Sequence, residues 1–193
     1  MSAAVDLWWL PLGAGGRVVP ACGRAYEAVA AALARRERRA LYHAALLVTL
    51  AGELTAIELA PAWGTPPGPH GVVATGSVGV AGAGRLPLLR YEVRRWRGGA
   101  ISDLDHAAAG PITASTDPAV ARRLLELVPA VPLHVWGRDA VGAGDMWNSN
   151  SVIAWLLLIS GAVARLPDPP AGGRAPGWRA GAVAAQEAGA SLL

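Results

Sequence analysis

His43, Glu58 and Ser149 are the residues whose types and order could perform acyl transfer. His43 opens the apolar segment 42–50, and Glu58 lies in the next such segment, 53–62. An imidazole can remove the proton of a serine hydroxyl, and a carboxylate can orient the imidazole and stabilise its positive charge. In this candidate set Ser149 attacks an amide or ester, His43 accepts its proton and Glu58 orients His43.

Ser149 stands in the polar run Asn148-Ser149-Asn150-Ser151, directly before the apolar stretch 152–159. This pattern predicts a buried helix that begins at Asn148 or Ser149. The free backbone N–H groups of a helix start favour negative charge, so Asn148, Asn150 and Ser151 are expected to line the cleft or hold an oxyanion. The same residue types are the preferred helix caps. A second interpretation is therefore that the run only caps the helix.

A hairpin is expected to position His43 and Glu58. Ala51-Gly52 has the length and the glycine of a tight turn between two strand-like segments. The register that this turn imposes puts His43 and Glu58 on the same face of a sheet, one diagonal pair apart. A slip of one residue would put them on opposite faces. A structural histidine and a surface carboxylate are the simpler alternatives for these two residues.

The remaining elements predict an α+β domain, an antiparallel sheet packed with helices. Residues 1–179 form one globular domain, and 180–193 a short helix or a flexible tail. The expected elements are a helix over 24–41 with arginines crowding its last two turns, strands over 71–80 and 85–97, a helix from Asp117-Pro118 to about Leu127, and a helix from 148 or 149 to about 160. In the strand over 85–97, Leu89, Tyr91, Val93 and Arg95 share one face.

Composition fits a single domain with a sizeable core: 193 residues, 53% hydrophobic, with a net charge of +3. The charge is too small to indicate nucleic-acid binding, which is therefore not expected. The longest apolar run, 152–159, is far shorter than the ~20 residues of a membrane span. The first ten residues do not resemble a signal peptide, and the single cysteine, Cys22, fits a reducing compartment. These features favour a cytoplasmic protein with no membrane span.

No pattern predicts a metal or a cofactor. The four histidines are widely spaced, and Gly13–Gly16 lacks the residues of a phosphate-binding loop, so it is interpreted as a turn. The other polar or reactive residues have simple structural interpretations. Cys22 is interpreted as a small apolar residue, and Asp139 and Asp145 as carboxylates that order their loops. The interpretation of Arg94, Arg95 and Arg97 is a solvated strand face, although these side chains could also contact phosphate.

Two segments resemble motifs of the circularly permuted papain-like superfamily, which includes lecithin-retinol-acyltransferase-like enzymes and cell-wall amidases. The first is Tyr42-His43-Ala44-Ala45-Leu46-Leu47-Val48, a histidine that opens a strand. The second is Trp147-Asn148-Ser149-Asn150-Ser151-Val152-Ile153-Ala154-Trp155-Leu156-Leu157. In permuted members the histidine comes first, a polar orienting residue follows on the next strand, and the nucleophile comes last at a helix start.

This resemblance implies a papain-like fold with a cleft between His43 and Ser149, and a hydrolase or acyltransferase activity on an amide or ester. The nucleophile of the superfamily is cysteine, whereas the matching residue here is Ser149, a weaker nucleophile at neutral pH. The alternative is an inactive papain-like domain. Its partner would be a small molecule, a peptide, a lipid or a protein, and the chain's tryptophans would suit such a binding cleft.

Overall fold

The structure, a computed structural model, describes residues 2–12, 18–63, 71–99, 101 and 103–190, with only the backbone described for 18–22 and 24. The predicted turn at Gly13–Gly16, residue His70 and the side chain of Cys22 lie outside this description. Strands β1 to β6 span Ala3–Pro11, Tyr42–Leu50, Glu53–Pro61, Val72–Ser77, Arg90–Arg97 and Ile112–Ser115. Helices α1 to α4 span Val18–Leu33, Pro118–Leu127, Ser149–Ile159 and Trp178–Ala190.

The strands that the structure describes form one antiparallel sheet in the order β4-β5-β3-β2-β1-β6. Between β2 and β3, Ala51 and Gly52 have φ angles of 54° and 84°, as a type I′ turn requires. The strands pair from Leu50 opposite Glu53 to Leu46 opposite Ile57. This pairing confirms the predicted hairpin and, over Leu46–Leu50, its register; it ends before His43, so the predicted diagonal pair of His43 and Glu58 does not form within the ladder.

The main core lies on one side of the sheet, which we call the helical face. Alternate side chains of each strand point to this side, and they pack against α2, α3 and α4. Helix α3 is buried from Ser149 through Leu157, as expected for a segment that is apolar almost all round. Its predicted end is also confirmed, because Gly161 follows it with a φ of 78°.

The opposite side, which we call the loop face, carries a smaller cluster. It consists of Leu10, Ala45, Leu47, Ala56 and Ile101. Leu104 and Ala107 are partly buried against it, so the segment that follows β5 covers this part of the sheet. The sheet therefore has a protein layer on each face at the level of β1, β2 and β3.

Helix α1 ends earlier than predicted. The expected helix over 24–41 stops at Leu33, and Arg35 has a φ of 48°, a left-handed conformation that ends helices. The arginines at 35, 36, 38 and 39 therefore follow the helix instead of crowding its last turns. Arg36 folds back onto Glu27 of α1, and this ion pair replaces the predicted interaction with the helix dipole.

Strand β5 is also shorter than predicted. Residues Ala83–Arg85 and Pro87–Leu89 form short 3-10 helices, and the strand begins only at Arg90. Pro87 has no N–H to give to a strand ladder. The predicted alternation is confirmed for the strand itself, because Tyr91 and Val93 enter the helical-face core. The short strand β6, which pairs with β1, had no counterpart among the predicted elements.

Helices α2 and α4 complete the helical layer. Asp117 caps α2 by accepting a hydrogen bond from the Ala119 N–H at 2.8 Å, which confirms the predicted start. Helix α4 packs closely on α3 at Gly181, where a Cβ atom would lie 2.2 Å from the Ser151 carbonyl oxygen. The segment 180–193 is thus helical as far as it is described.

The fold is α+β, with an antiparallel sheet and helices packed on it, which confirms the predicted fold class at this level. Among the described residues, no helix has the length and apolar character needed to cross a membrane.

We expect Leu156→Ala to lower the free energy of unfolding by about 2–5 kcal/mol, because Leu156 is fully buried in α3 and the change leaves a cavity. Leu88→Ala is the matched control: Leu88 is 66% exposed, and its loss is expected to change stability by no more than about 0.5 kcal/mol. Denaturant unfolding followed by tryptophan fluorescence measures both. Equal effects of the two changes would contradict the assignment of α3 to the core.

Candidate functional site

The start of α3 is a closed capping box. The Asn148 side chain accepts a hydrogen bond from the Asn150 N–H at 2.9 Å, and the Asn148 N–H donates to the Ser151 hydroxyl at 3.0 Å. Both interactions satisfy backbone groups that a helix start leaves without partners. For Asn148 and Ser151, the structure therefore gives a specific capping role.

The same side chains bind the loop that precedes α4. The Asn148 amide donates to the Pro176 carbonyl at 2.8 Å, and the Ser151 hydroxyl donates to the Gly177 carbonyl, also at 2.8 Å. Gly177 has a φ of 89°, and a Cβ atom there would lie 2.2 Å from the Asn148 side-chain oxygen. Only glycine fits this approach. We call Asn148, Asn150 and Ser151, together with Pro176 and Gly177, the α3 joint.

Asn150 connects this joint to the sheet. Its side-chain oxygen accepts from the Ala44 N–H at 2.7 Å, and its amide donates to the Tyr42 and Pro176 carbonyls at 3.0 and 2.7 Å. The pairing between β2 and β3 ends at Leu46. The Asn150 carboxamide thus takes the place that a neighbouring strand would have beside the first residues of β2.

Arg174 fills the rest of this gap with its backbone. The Tyr42 N–H donates to the Arg174 carbonyl at 2.8 Å, and the Arg174 N–H donates to the Ala40 carbonyl at 2.9 Å. The loop before α4 therefore continues the sheet where β3 has turned away. All of these contacts connect parts of the fold. The side chains of Asn148, Asn150 and Ser151, which were expected to line a cleft, form hydrogen bonds of this kind.

Asp139 and Asp145 order their loops, as predicted. Asp139 accepts from the Ala143 and Gly144 N–H groups at 2.8 and 2.9 Å. Asp145 accepts from the Met146 N–H at 3.0 Å and from the Gly177 N–H at 2.8 Å. The second carboxylate also stabilises the α3 joint.

His43 lies on the loop face. It alternates with Ala44, which belongs to the helical-face core, and its partner across β1 is Leu10 of the loop-face cluster. Helix α3 packs on the helical face, the side of the sheet opposite to the one that the His43 side chain faces. Ser149 is 6% exposed. Across the ranges that the structure describes, no hydrogen bond joins its hydroxyl to the His43 ring.

Burial lowers the pKa of His43 below its usual value, and the carboxylate of Asp103 partly opposes this shift. The fold therefore favours the neutral imidazole. Asp103 belongs to the segment that covers the loop face and acts electrostatically on His43. This influence was not predictable from the sequence, because the two residues lie far apart along the chain.

Glu58 shares the loop face with His43, in agreement with the predicted register, but its partner is an arginine. Arg94 lies directly opposite on β5, with its Nη1 3.3 Å from the Glu58 Oε1. Glu92 binds the same guanidinium at 2.7 Å. Arg94 is only 6% exposed, so the prediction of a solvated strand face is wrong for this residue. Arg97, at 77% side-chain exposure, does lie on a solvated surface.

The predicted set of His43, Glu58 and Ser149 is thus not brought together by hydrogen bonds among the described residues. His43 and Glu58 share a face, and Ser149 begins a helix on the other. Among all the residues that the structure describes, no cluster of three or more His, Cys, Asp and Glu side chains has an arrangement that could hold a metal ion.

A cavity of about 250 Å³ lies elsewhere, between α1 and the segment that leads into β2. The described residues that line it are Leu12, Gly23, Glu27, Arg38, Arg39, Ala40 and Leu41. Sequence reasoning missed this cavity because the helix was expected to continue through residue 41. The early end of α1 is what separates the arginine-rich segment from the helix and leaves a space between them.

Comparison with known proteins gives no matching family model, no matching curated protein and no matching solved structure.

We expect Asn150→Asp to destabilise the protein by roughly 2–4 kcal/mol. The carboxylate can still accept from the Ala44 N–H, but it cannot donate to the Tyr42 and Pro176 carbonyls, and it places a charge in a buried site. Ser149→Ala, one residue away, is the control, with an expected loss of about 1 kcal/mol or less. Denaturant midpoints give both values. Wild-type stability in Asn150→Asp would show that the amide does not hold the joint.

We expect His43 to make stability depend on pH. Since its pKa is lower in the folded state than in the unfolded state, the unfolded chain binds the proton first as the pH falls. The contribution of neutral His43 is complete above about pH 6.5, the ordinary histidine pKa, and is lost below it. Unfolding free energies at neutral and mildly acidic pH should therefore differ less in His43→Gln than in the wild type. The exposed His106 provides the control: if His106→Gln flattens the pH profile equally, His43 is not the cause.

Proposed function

We propose that this chain is a non-catalytic binding domain, an inactive counterpart of the papain-like hydrolases that its two motifs resemble. One observation carries the proposal. The polar residues around Ser149 hold α3 to the sheet and to the loop before α4, and His43 lies on the opposite face of the sheet. The polar start of the helix thus serves as a joint of the fold.

A serine nucleophile needs a base that can take its proton. The base must reach the hydroxyl within hydrogen-bond distance, or through one water molecule. His43 is directed to the loop face, and the carboxylate proposed to orient it, Glu58, neutralises Arg94 instead. A helix N-terminus alone does not ionise a hydroxyl. These arrangements support the proposal that the two motifs occur in the papain-like order but do not perform nucleophilic catalysis.

The cavity beside α1 supports a binding role. It combines apolar walls, contributed by Leu12 and Leu41, with charged groups from Glu27, Arg38 and Arg39. Small-molecule sites combine apolar surface with polar groups that orient the ligand, and this cavity offers both. The cavity is distinct from the α3 joint and uses none of its residues. A small ligand in this cavity is therefore the form of binding that we favour over a peptide, lipid or protein partner.

We expect no covalent labelling of Ser149 by a fluorophosphonate probe, which reacts with activated serine hydroxyls. The purified wild-type protein and Ser149→Ala should give the same background signal in intact-mass measurement after incubation with the probe. A known serine hydrolase, treated in parallel, confirms that the probe is active. Labelling of the wild type that both Ser149→Ala and His43→Ala abolish would overturn the proposal and establish a His–Ser hydrolase.

A further inference from the structure

The cavity beside α1 has a carboxylate that is already neutralised. Glu27, 3% exposed, accepts hydrogen bonds from the Arg36 guanidinium, from the Arg39 N–H at 2.9 Å and from Arg174 at 2.9 Å. These contacts lower its pKa to about 2, with the hydrogen bond from Arg36 as the main cause and burial opposing it. Glu27 therefore belongs to the lining of the cavity, but its charge is already neutralised by the two guanidinium groups.

The guanidinium groups of Arg38 and Arg39, the two arginines that line the cavity, are not engaged in this cluster. Arg38 and Arg39 are both exposed at the cavity. Among the described residues, neither guanidinium takes part in an ion pair or hydrogen bond, since the contact between Arg39 and Glu27 uses the backbone N–H. Two cationic groups with free donors therefore lie beside a recess, and the carboxylate that lines it, Glu27, is occupied by Arg36 and Arg174.

The walls of the recess are apolar. Leu12 and Leu41 contribute side chains that lie close to Gly23: a Cβ atom there would lie 2.5 Å from a methyl carbon of Leu12, which would have to shift. The volume of about 250 Å³ lies just below the usual range of ligand cavities, about 300–1,000 Å³. An occupant must therefore be small, with an apolar body for the leucines and a negative group for the arginines.

We infer that this cavity binds a small amphipathic anion, a molecule that carries a carboxylate or a phosphate on a short apolar chain. The anion would accept charge-assisted hydrogen bonds from Arg38 and Arg39, whose planar guanidinium groups match the geometry of both anions. The apolar chain would lie against Leu12 and Leu41. This inference rests on the proposed binding function and names the class of ligand for it.

Hexanoate and hexyl phosphate are the probes, and hexanol is the neutral match for both. Isothermal titration calorimetry on the full-length protein should detect binding of at least one of the anions at concentrations up to about 10 mM, with hexanol at least tenfold weaker. In Arg38→Ser/Arg39→Ser the anion should lose at least tenfold in affinity. The control is Arg122→Ser/Arg123→Ser, which removes two adjacent exposed arginines from α2 and should leave binding unchanged.

Three results would overturn the inference: no binding of either anion, equal binding of hexanol, or undiminished anion binding by Arg38→Ser/Arg39→Ser. The removed side chains are exposed, so this variant should fold, and its unfolding midpoint confirms that it does. Salt-sensitive binding of a single-stranded oligonucleotide that only the Arg38/Arg39 change abolishes would also overturn it, by assigning the arginines to nucleic acid. The outcome of the fluorophosphonate experiment does not depend on the outcome of the anion titrations. If Ser149 is not labelled and neither anion binds, the inference about the ligand class is wrong, whereas the proposal of a non-catalytic domain still stands.

Discussion

The carboxamide of Asn150 is the contact on which the arrangement of the sheet, α3 and the loop before α4 depends. Because β3 leaves β2 after the pair Leu46 and Ile57, the backbone groups of Tyr42 and Ala44 need other partners in a buried position. A carboxamide offers the same donor and acceptor as a peptide group, so a single side chain can substitute for a strand here. The Asn150 amide also donates to the Pro176 carbonyl and so binds the loop before α4. The backbone of Arg174, in the same loop, continues the hydrogen bonding along β2.

This constraint changes the meaning of the polar run at the start of α3. Read along the sequence, Asn148 to Ser151 fits either a cap or a catalytic cleft, because both need small polar residues at a helix start. Which of them applies depends on what faces the helix, and that is set by strand alternation some hundred residues earlier. The hairpin register was predictable from Ala51-Gly52. The packing of α3 on the side of Ala44, away from His43, was not, because periodicity within a strand does not indicate which face a distant helix will cover.

Local signals explain what was predictable in the fold. Asp117-Pro118, Gly161 and the Ala51-Gly52 turn act through their own backbone geometry, and the structure confirms each of them. The errors came from tertiary contacts. Helix propensity favoured continuation of α1 through the arginines that follow it. The buried Glu27, however, accepts hydrogen bonds from Arg36, from the Arg39 backbone and from Arg174. Arg36 and Arg39 can reach Glu27 only because the chain leaves the helix after Leu33. The cavity beside α1 forms because these contacts with Glu27 outweigh the propensity of the segment to continue the helix.

The α3 joint also determines how much of the chain must be synthesised before the edge of β2 can be closed. Ala44 and Asn150 are separated by 106 residues, and Asn150 and Pro176 by 26 more. Contacts over such distances form late in folding. Until the last part of the chain has been synthesised, the first residues of β2 present a strand edge without a partner, and such edges pair readily with other chains. Closure of this edge by Asn150 and Arg174 therefore removes a site at which the emerging protein could pair with other chains.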